Sequence, residues 1–305
     1  MSDTKLIVTK DKLDKLATSI STKSGVVTPM TIAQMKAAVD GITGGTIIQD
    51  ENGYLVISEN GEQGDGQLRY SIDNIFGDGI DGDIVFTGTS LNFPLAYQTG
   101  ITSFTADNVT SIPIQDKVPV FKNCTNLLNI SMKSLTYLTN NTSMFENCTS
   151  LESITSKNFP NVTTWYGNKS FQGCTNLKLF CLPKLGTASI RYLNNTHFGY
   201  CTNLEVVDMA QLNRILGNTF LNSGVQKIII RVNTVATLDA LNAFTGTPFA
   251  SGGTGGILYV PSALISSYQS ATNWSTILGY TNNQILSIEG SIYETQYADG
   301  TPISS

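Results

Sequence analysis

One short phrase occurs four times in this 305-residue chain, and a chain built that way has few folds open to it. The copies are Phe121-Lys122-Asn123-Cys124-Thr125-Asn126-Leu127, Phe145-Glu146-Asn147-Cys148-Thr149-Ser150-Leu151, Phe171-Gln172-Gly173-Cys174-Thr175-Asn176-Leu177 and Phe198-Gly199-Tyr200-Cys201-Thr202-Asn203-Leu204. Their cysteines lie 24, 26 and 27 residues apart, and a period in that range announces a solenoid. Setting the phase at the closing Leu gives repeats 101–126, 127–150, 151–176, 177–203 and 204–224, with a degenerate sixth from Val225.

Each repeat opens with apolar residues three apart: Ile101 and Phe104, Leu127 and Ile130, Leu151 and Ile154, Leu177 and Phe180, Leu204 and Val207, Val225 and Ile228. A second pair follows, such as Leu135 with Leu138, Val162 with Trp165 and Leu212 with Ile215. No single repeat can bury this pattern. Stacked coils can, because each apolar column meets its own kind above and below. One cysteine per coil gives no paired spacing of the Cys-x-x-Cys kind that metal sites need. Cys124, Cys148, Cys174 and Cys201 are therefore expected as a reduced, buried ladder at one corner, with Cys181 as packing at an odd phase.

The phrase Phe-x-x-Cys-Thr-Asn-Leu at this period resembles the BspA-type leucine-rich repeats of bacterial surface proteins and bacteriophage proteins, over about 101–244. Ile257-Leu258-Tyr259-Val260-Pro261, followed by Leu264, Tyr268 and Ala271-Thr272-Asn273-Trp274, resembles the segment closing such arrays in phage-encoded proteins. It reads as strand 257–260 and helix 262–270, Pro261 suiting a first helical turn. The fold class expected is mainly β with short helices: a leucine-rich-repeat solenoid preceded by an α-helical hairpin and a β-hairpin. The expected divisions are a leader (1–45), a β-hairpin, loop and N-terminal cap (46–100), the repeats (101–244), a C-terminal cap (245–290) and a tail (291–305).

In the leader, Leu13, Leu16 and Ile20 stand at helical spacing in a helix over 10–22. Ile32, Met35 and Val39 stripe a second helix that starts at Thr31 and ends near Gly44-Gly45. This pair resembles the short leader of tail and baseplate proteins from phages of Gram-positive bacteria. It is too small to hold a core, so these six residues are candidates for docking onto other tail proteins or for self-association, a trimer being favoured. Ile47 to Ile57 reads as a hairpin in which Asn52-Gly53 forms a type I′ turn. Residues 59–83 read as loop, and Ile84-Val85-Phe86 as the strand covering the array's open end.

Charged residues are 13% of the chain, with no run of Lys or Arg, so a phosphate-tracking nucleic-acid surface is not expected. No stretch reaches the roughly 20 apolar residues of a membrane helix. Met1-Ser2-Asp3-Thr4-Lys5 lacks the basic and apolar regions of a secretory signal, so the protein is expected to fold in the cytoplasm. The Asn-x-Thr sequons at Asn123, Asn147 and Asn161 then follow from the repeat rather than from glycosylation.

Asp78, Asp81 and Asp83, with Asp65 and Asp73 near, are weak calcium candidates that miss the EF-hand spacing; a solvated loop is favoured. His197, the only histidine, has no identifiable nucleophile beside it, so no catalytic triad is expected. Acidic residues are scarce in the repeats, which argues against a paired-carboxylate glycosidase. No enzyme activity and no cofactor are expected.

Repeats 151–176 and 177–203 carry two to three extra residues before the Phe, bearing Trp165, Tyr166, Lys169, Arg191 and Tyr192. Insertions in a solenoid emerge on one face, often the binding face. These five are candidates for binding a host-surface glycan or protein, with Trp165 equally readable as a column filler. The resemblances imply a phage tail-tip, baseplate or fibre protein that binds the host surface, carried in the virion after assembly in the host cytoplasm. A bacterial surface adhesin is the alternative, and a polysaccharide-degrading enzyme a distant third.

Overall fold

The computed structural model describes residues 5–8, 46–49, 55–58, 81–86, 89–91, 95–112, 119–138, 143–165, 167–185, 192–193 and 196–303. The helices expected over 10–22 and 31–44, with Leu13, Leu16, Ile20, Ile32, Met35 and Val39, lie outside them. Strands β1 (Lys5–Val8), β2 (Thr46–Gln49), β3 (Leu55–Ser58), β4 (Asp81–Phe86), β5 (Gly100–Thr105) and β6 (Asn129–Ser131) form one sheet in the order β2-β3-β1-β4-β5-β6. β1 pairs antiparallel with both β3 and β4, so the sequence's first strand is built into the sheet rather than into a separate leader. Its run Leu6-Ile7-Val8 carried that signal, and it was not expected.

The expected hairpin is present as β2 and β3, but the turn differs. Gln49 pairs with Leu55, which leaves five residues between the strands, whereas a two-residue Asn52-Gly53 turn would set Gln49 opposite Val56. The next strand begins at Asp81 rather than Ile84, because Asp81 and Gly82 find partners in Gly100 and Ile101, with an irregularity between Gly82 and Asp83.

From β4 onward the ladders are parallel, as one strand per coil requires. Six more strands form the long face: β8 (Ser153–Ile154), β10 (Leu179–Leu182), β12 (Val206–Met209), β14 (Lys227–Ile230), β16 (Ile257–Val260) and β17 (Gln284–Ser287). Their register advances one coil per strand, Phe180 beside Val207, Ile228 and Leu258 in turn. A second face carries two-residue strands: β7 (Tyr137–Leu138), β9 (Thr164–Trp165), β11 (Tyr192–Leu193), β13 (Arg214–Ile215) and β15 (Thr237–Leu238). They pair as β7-β9 and β11-β13-β15.

Both apolar pairs of each repeat point inward. Ile101, Leu127, Leu151, Leu177, Leu204 and Val225 are fully buried, and so are Leu135, Val162 and Leu212. Between the two faces runs a stack of phenylalanines. Phe121, Phe145, Phe171, Phe198, Phe220 and Phe244 follow one another at centroid distances of 5.3, 5.4, 5.6, 5.6 and 5.4 Å. Their planes lie within 11° of parallel, because each ring occupies the same place in the repeat one coil on.

The closing segment follows the expected strand 257–260 with a 3-10 turn (Ser262–Leu264), helix α1 (Ile265–Ser270) and helix α2 (Trp274–Leu278). Its two large aromatics finish the second face. Ala236 N donates to Tyr268 Oη at 2.8 Å, and Trp274 Nε1 donates to Ala236 O at 2.7 Å. Both groups would otherwise be buried without partners. Among the described residues, no helix is long and apolar enough to cross a membrane.

Candidate binding face

The repeated phrase makes a corner of each coil. The backbone N–H of Cys124, Cys148, Cys174 and Cys201 closes a turn onto the carbonyl of the Phe three residues earlier, at 3.0–3.2 Å. The thiols reach back one coil: Cys148 Sγ donates to Phe121 O at 3.0 Å, Cys174 Sγ to Phe145 O at 2.9 Å and Cys201 Sγ to Phe171 O at 3.0 Å. Cys124 Sγ does the same to Leu95 O at 3.1 Å. All four are buried, and none is in a disulfide. Burial pushes the Cys124 thiol up to about 12 and raises the other three as well, so none is a reactive thiolate.

The next coils substitute a hydroxyl at this position. Ser223 Oγ is buried with no hydrogen-bond partner, and Thr247 Oγ1 turns to Phe244 O of its own coil. A C–S bond is longer than C–O, and the thiol uses that length to cross between coils.

The bond from Cys124 to Leu95 reveals a coil the sequence reading missed. Leu95-Ala96-Tyr97-Gln98-Thr99-Gly100-Ile101 is the same phrase with Leu for Phe and Gln for Cys; only Thr99 and the closing aliphatic residue remain as signals. Backbone bonds confirm the register: Tyr97 N donates to Lys122 O, Asn123 N to Glu146 O, Asn147 N to Gln172 O, Gly173 N to Gly199 O and Tyr200 N to Leu221 O, at 2.7–2.8 Å.

The residue before the Cys position turns the corner with positive φ. Asn123, Asn147, Gly173, Asn222 and Gly246 hold φ of 60, 61, 76, 54 and 71°, and Asn and Gly are the residues that tolerate this region. The asparagines also form a ladder, Asn147 Nδ2 donating to Asn123 Oδ1 at 2.9 Å. At Gly173 and Gly246 a Cβ would fall on the Oδ1 of Asn147 and Asn222, so glycine is needed there for space as well as for φ. Two members depart from this pattern: Tyr97 at φ 68° and Tyr200 at φ 62°. A left-handed conformation costs such a residue roughly 1–2 kcal/mol. Both rings are exposed, at 63% and 45%.

The insertion candidates fare differently. Trp165 is a correction: it is 3% exposed, packed among Phe145, Phe159, Phe171, Phe180 and His197, and its Nε1 donates to Ser170 Oγ at 3.2 Å. It fills the second apolar column, since β9 places it beside Leu138. Lys169 is exposed and holds a second left-handed corner at φ 58°. Tyr166 and Arg191 lie outside the described residues, and Tyr192 enters β11 with its side chain outside them.

Of the calcium candidates, Asp78 and the Asp81 side chain are likewise outside. Asp83 Oδ1 accepts from Thr102 Oγ1 at 2.9 Å and Ser103 Oγ at 2.7 Å. Among the described residues no group of three or more His, Cys, Asp or Glu could hold a metal ion. His197 is buried, its Nδ1–H donating to Gly167 O at 3.2 Å. Burial lowers it to about 4, so it is a neutral core imidazole at physiological pH.

The outer side of the long face holds what the sequence reading did not foresee. Residues 288–303 do not trail away; they lie across β8 to β16. Asp208, outward on β12, is fully buried and takes Arg231 Nε at 2.9 Å and Nη2 at 2.8 Å. Ala298 N donates to the same carboxylate at 2.9 Å. Arg231 in turn donates to Tyr293 O and Gln296 O, and its guanidinium sits 4.6 Å from the Tyr297 ring centroid. Burial holds the Asp208 carboxyl above its ordinary value, against the pull of Arg231. Asp299 fastens the far end, accepting from Ser156 N at 3.1 Å and Ser156 Oγ at 2.6 Å. Cys181, beside Asp208 in the register, owes its odd phase to this arrangement: it faces outward and the segment buries it.

Residues 288–303, a strap over these strands, leave the first coils of the outer face open. Asp83, Ser103 and Asn129 stand in one row and Val85, Thr105 and Ser131 in the next, all partly or well exposed. No curated protein matches the chain. Residues 119–248, which hold the six stacked phenylalanines, match the family described as BspA type leucine rich repeat region, in six copies.

Proposed function

We propose that this chain is a binding protein that presents its leucine-rich-repeat solenoid to a bacterial surface as part of a bacteriophage tail tip, baseplate or fibre. The observation that carries the binding part is the placement of its reactive groups. His197, Asp208 and all five cysteines are buried in packing or hydrogen-bond roles, while the partly exposed corners carry amides and hydroxyls coil after coil, at Asn123, Thr125, Asn147, Thr149 and Thr175. That arrangement supports recognition rather than catalysis. BspA-type repeats suit a surface-binding role. The phage part rests on the likeness of the leader and the closing segment to phage proteins, and the leader's apolar stripes support docking onto other tail proteins or trimer formation.

The test has two arms. Fluorescently labelled full-length protein is applied to intact Gram-positive cells, and gold-labelled antibody against it to phage particles. Cell staining with gold at the tail is the expected result. Staining of cells with gold on the bacterial envelope instead would favour a cell-surface adhesin, and no staining of any cells would remove the binding reading. Because β1 lies inside the sheet, the leader is best probed by Leu16→Lys with Ile20→Lys rather than by deleting residues 1–45. Light scattering should then report loss of the oligomer.

A further inference from the structure

We infer that the left-handed corner from Tyr97 to Tyr200 is a subsite for an unbranched neutral polysaccharide, with the two tyrosines as its aromatic anchors; this rests on the binding reading above and names its ligand class. The starting observation is a local conflict between sequence and backbone. Among the described residues, five of the seven corners use Asn or Gly, the residues their positive φ favours, and two use Tyr. A bulky residue held in that region against its preference points toward function rather than folding. Neither ring repays its corner by packing, since both are exposed, in contrast to Trp165.

The register sets the geometry. Tyr97, Asn123, Asn147, Gly173 and Tyr200 occupy the same position in successive coils, so the rings are four coils apart, roughly 19 Å at about 4.8 Å per paired strand. Between them lies a strip of carboxamides with no Cβ at Gly173. An extended sugar chain advances by about one coil per residue. It offers flat apolar faces to the terminal rings and hydroxyls to the amides in between. Two charges beside the strip, Lys122 and Glu146, are paired with each other at 3.0 Å, so that pair adds no net charge for a charged ligand to meet. An apolar peptide would need a pocket for its side chains, and the intervening corners are amide and glycine.

The folding logic provides a clean variant. Tyr97→Asn and Tyr200→Asn install the residue this corner prefers, so both proteins should melt at or above the parent temperature. The full-length protein and its variants are titrated with a soluble β-glucan, a galactan and a soluble N-acetylglucosamine polymer. We expect the parent to bind at least one of these, each single variant to bind at least tenfold more weakly, and the double variant at least a hundredfold. A double variant that binds as well as the parent overturns the inference. So does a parent that binds none of the three while still staining cells, which leaves the broader binding reading standing. Cell staining that survives periodate but not protease would assign the surface to a protein ligand and overturn it as well. A parent that neither stains cells nor binds polysaccharide would end both readings.

Discussion

The inside of the coils and the outside of the long face are held by opposite means. Inside, the main contacts are made several times: the phenylalanine stack, the thiol ladder and the two apolar columns recur coil after coil. Outside, the segment 288–303 is held by contacts made once, centred on Asp208 and Arg231. Repetition spreads a defect over neighbours of the same kind, so the interior depends on volume and register. The strap is centred on one buried charge pair, with Asp299 on Ser156 as its second hold, and removing one partner of the pair leaves the other charge buried alone.

The largest effect expected is interior. Phe171→Ala removes a ring that meets Phe145, Phe180, Phe198, Trp165 and His197. It should lower stability by about 5 kcal/mol, the upper end for such a change. A melting temperature within a degree or two of the parent would place the ring outside the stack.

Arg231→Ala leaves Asp208 buried and uncompensated and should cost about 3–4 kcal/mol. Unlike Phe171→Ala, it should act on the strap first. Limited proteolysis should cut within 288–303 while the repeats stay protected, and equal protection of both would mean that the strap does not rest on this pair.

Acid sharpens the contrast, because His197 is interior yet single. Its folded value of about 4 lies below its ordinary 6.5. As pH falls through 6.5 the unfolded chain takes up a proton that the folded chain refuses until about 4, so stability is lost downward over that window, by roughly 3 kcal/mol. Chemical denaturation of parent and His197→Gln from pH 7.5 to 4 should give curves that diverge only below 6.5.

The smallest effect expected is a gain. Ser223→Cys would extend the thiol ladder to Phe198 O and remove a buried oxygen without a partner. About 1 kcal/mol is expected, the usual net worth of one such bond. A loss of stability would show that length is not what the ladder selects.

What the sequence made legible follows the same division. Phe, Cys and Leu at a fixed phase announced the coil and its inward columns, because one physical constraint is written there several times. Trp165 was ambiguous because a large aromatic at that spacing suits either side of a wall, and only pairing with Leu138 decides it. The coil at 95–100 was hidden because Leu95 and Gln98 keep the shape of the phrase but not its letters. Asp208 and Arg231 are 23 residues apart and mark no pattern, and nothing near residue 298 indicates that its N–H will meet them. Tyr200 stood inside the phrase itself, at a position whose backbone demand emerges only once φ is known.

The strap also changes how the protein carries load. Tension applied to the chain beyond residue 303 does not enter at the last strand, β17. It arrives first at Ser156, next to β8, and at Arg231, because Asp299 and Tyr293 are bound there. A stack pulled from its end gives way one coil at a time. A stack gripped across its middle must shear several bonds together, so the segment works as a strain relief, passing a tug on the C-terminal side into the middle of the array before its outermost coil can be peeled away.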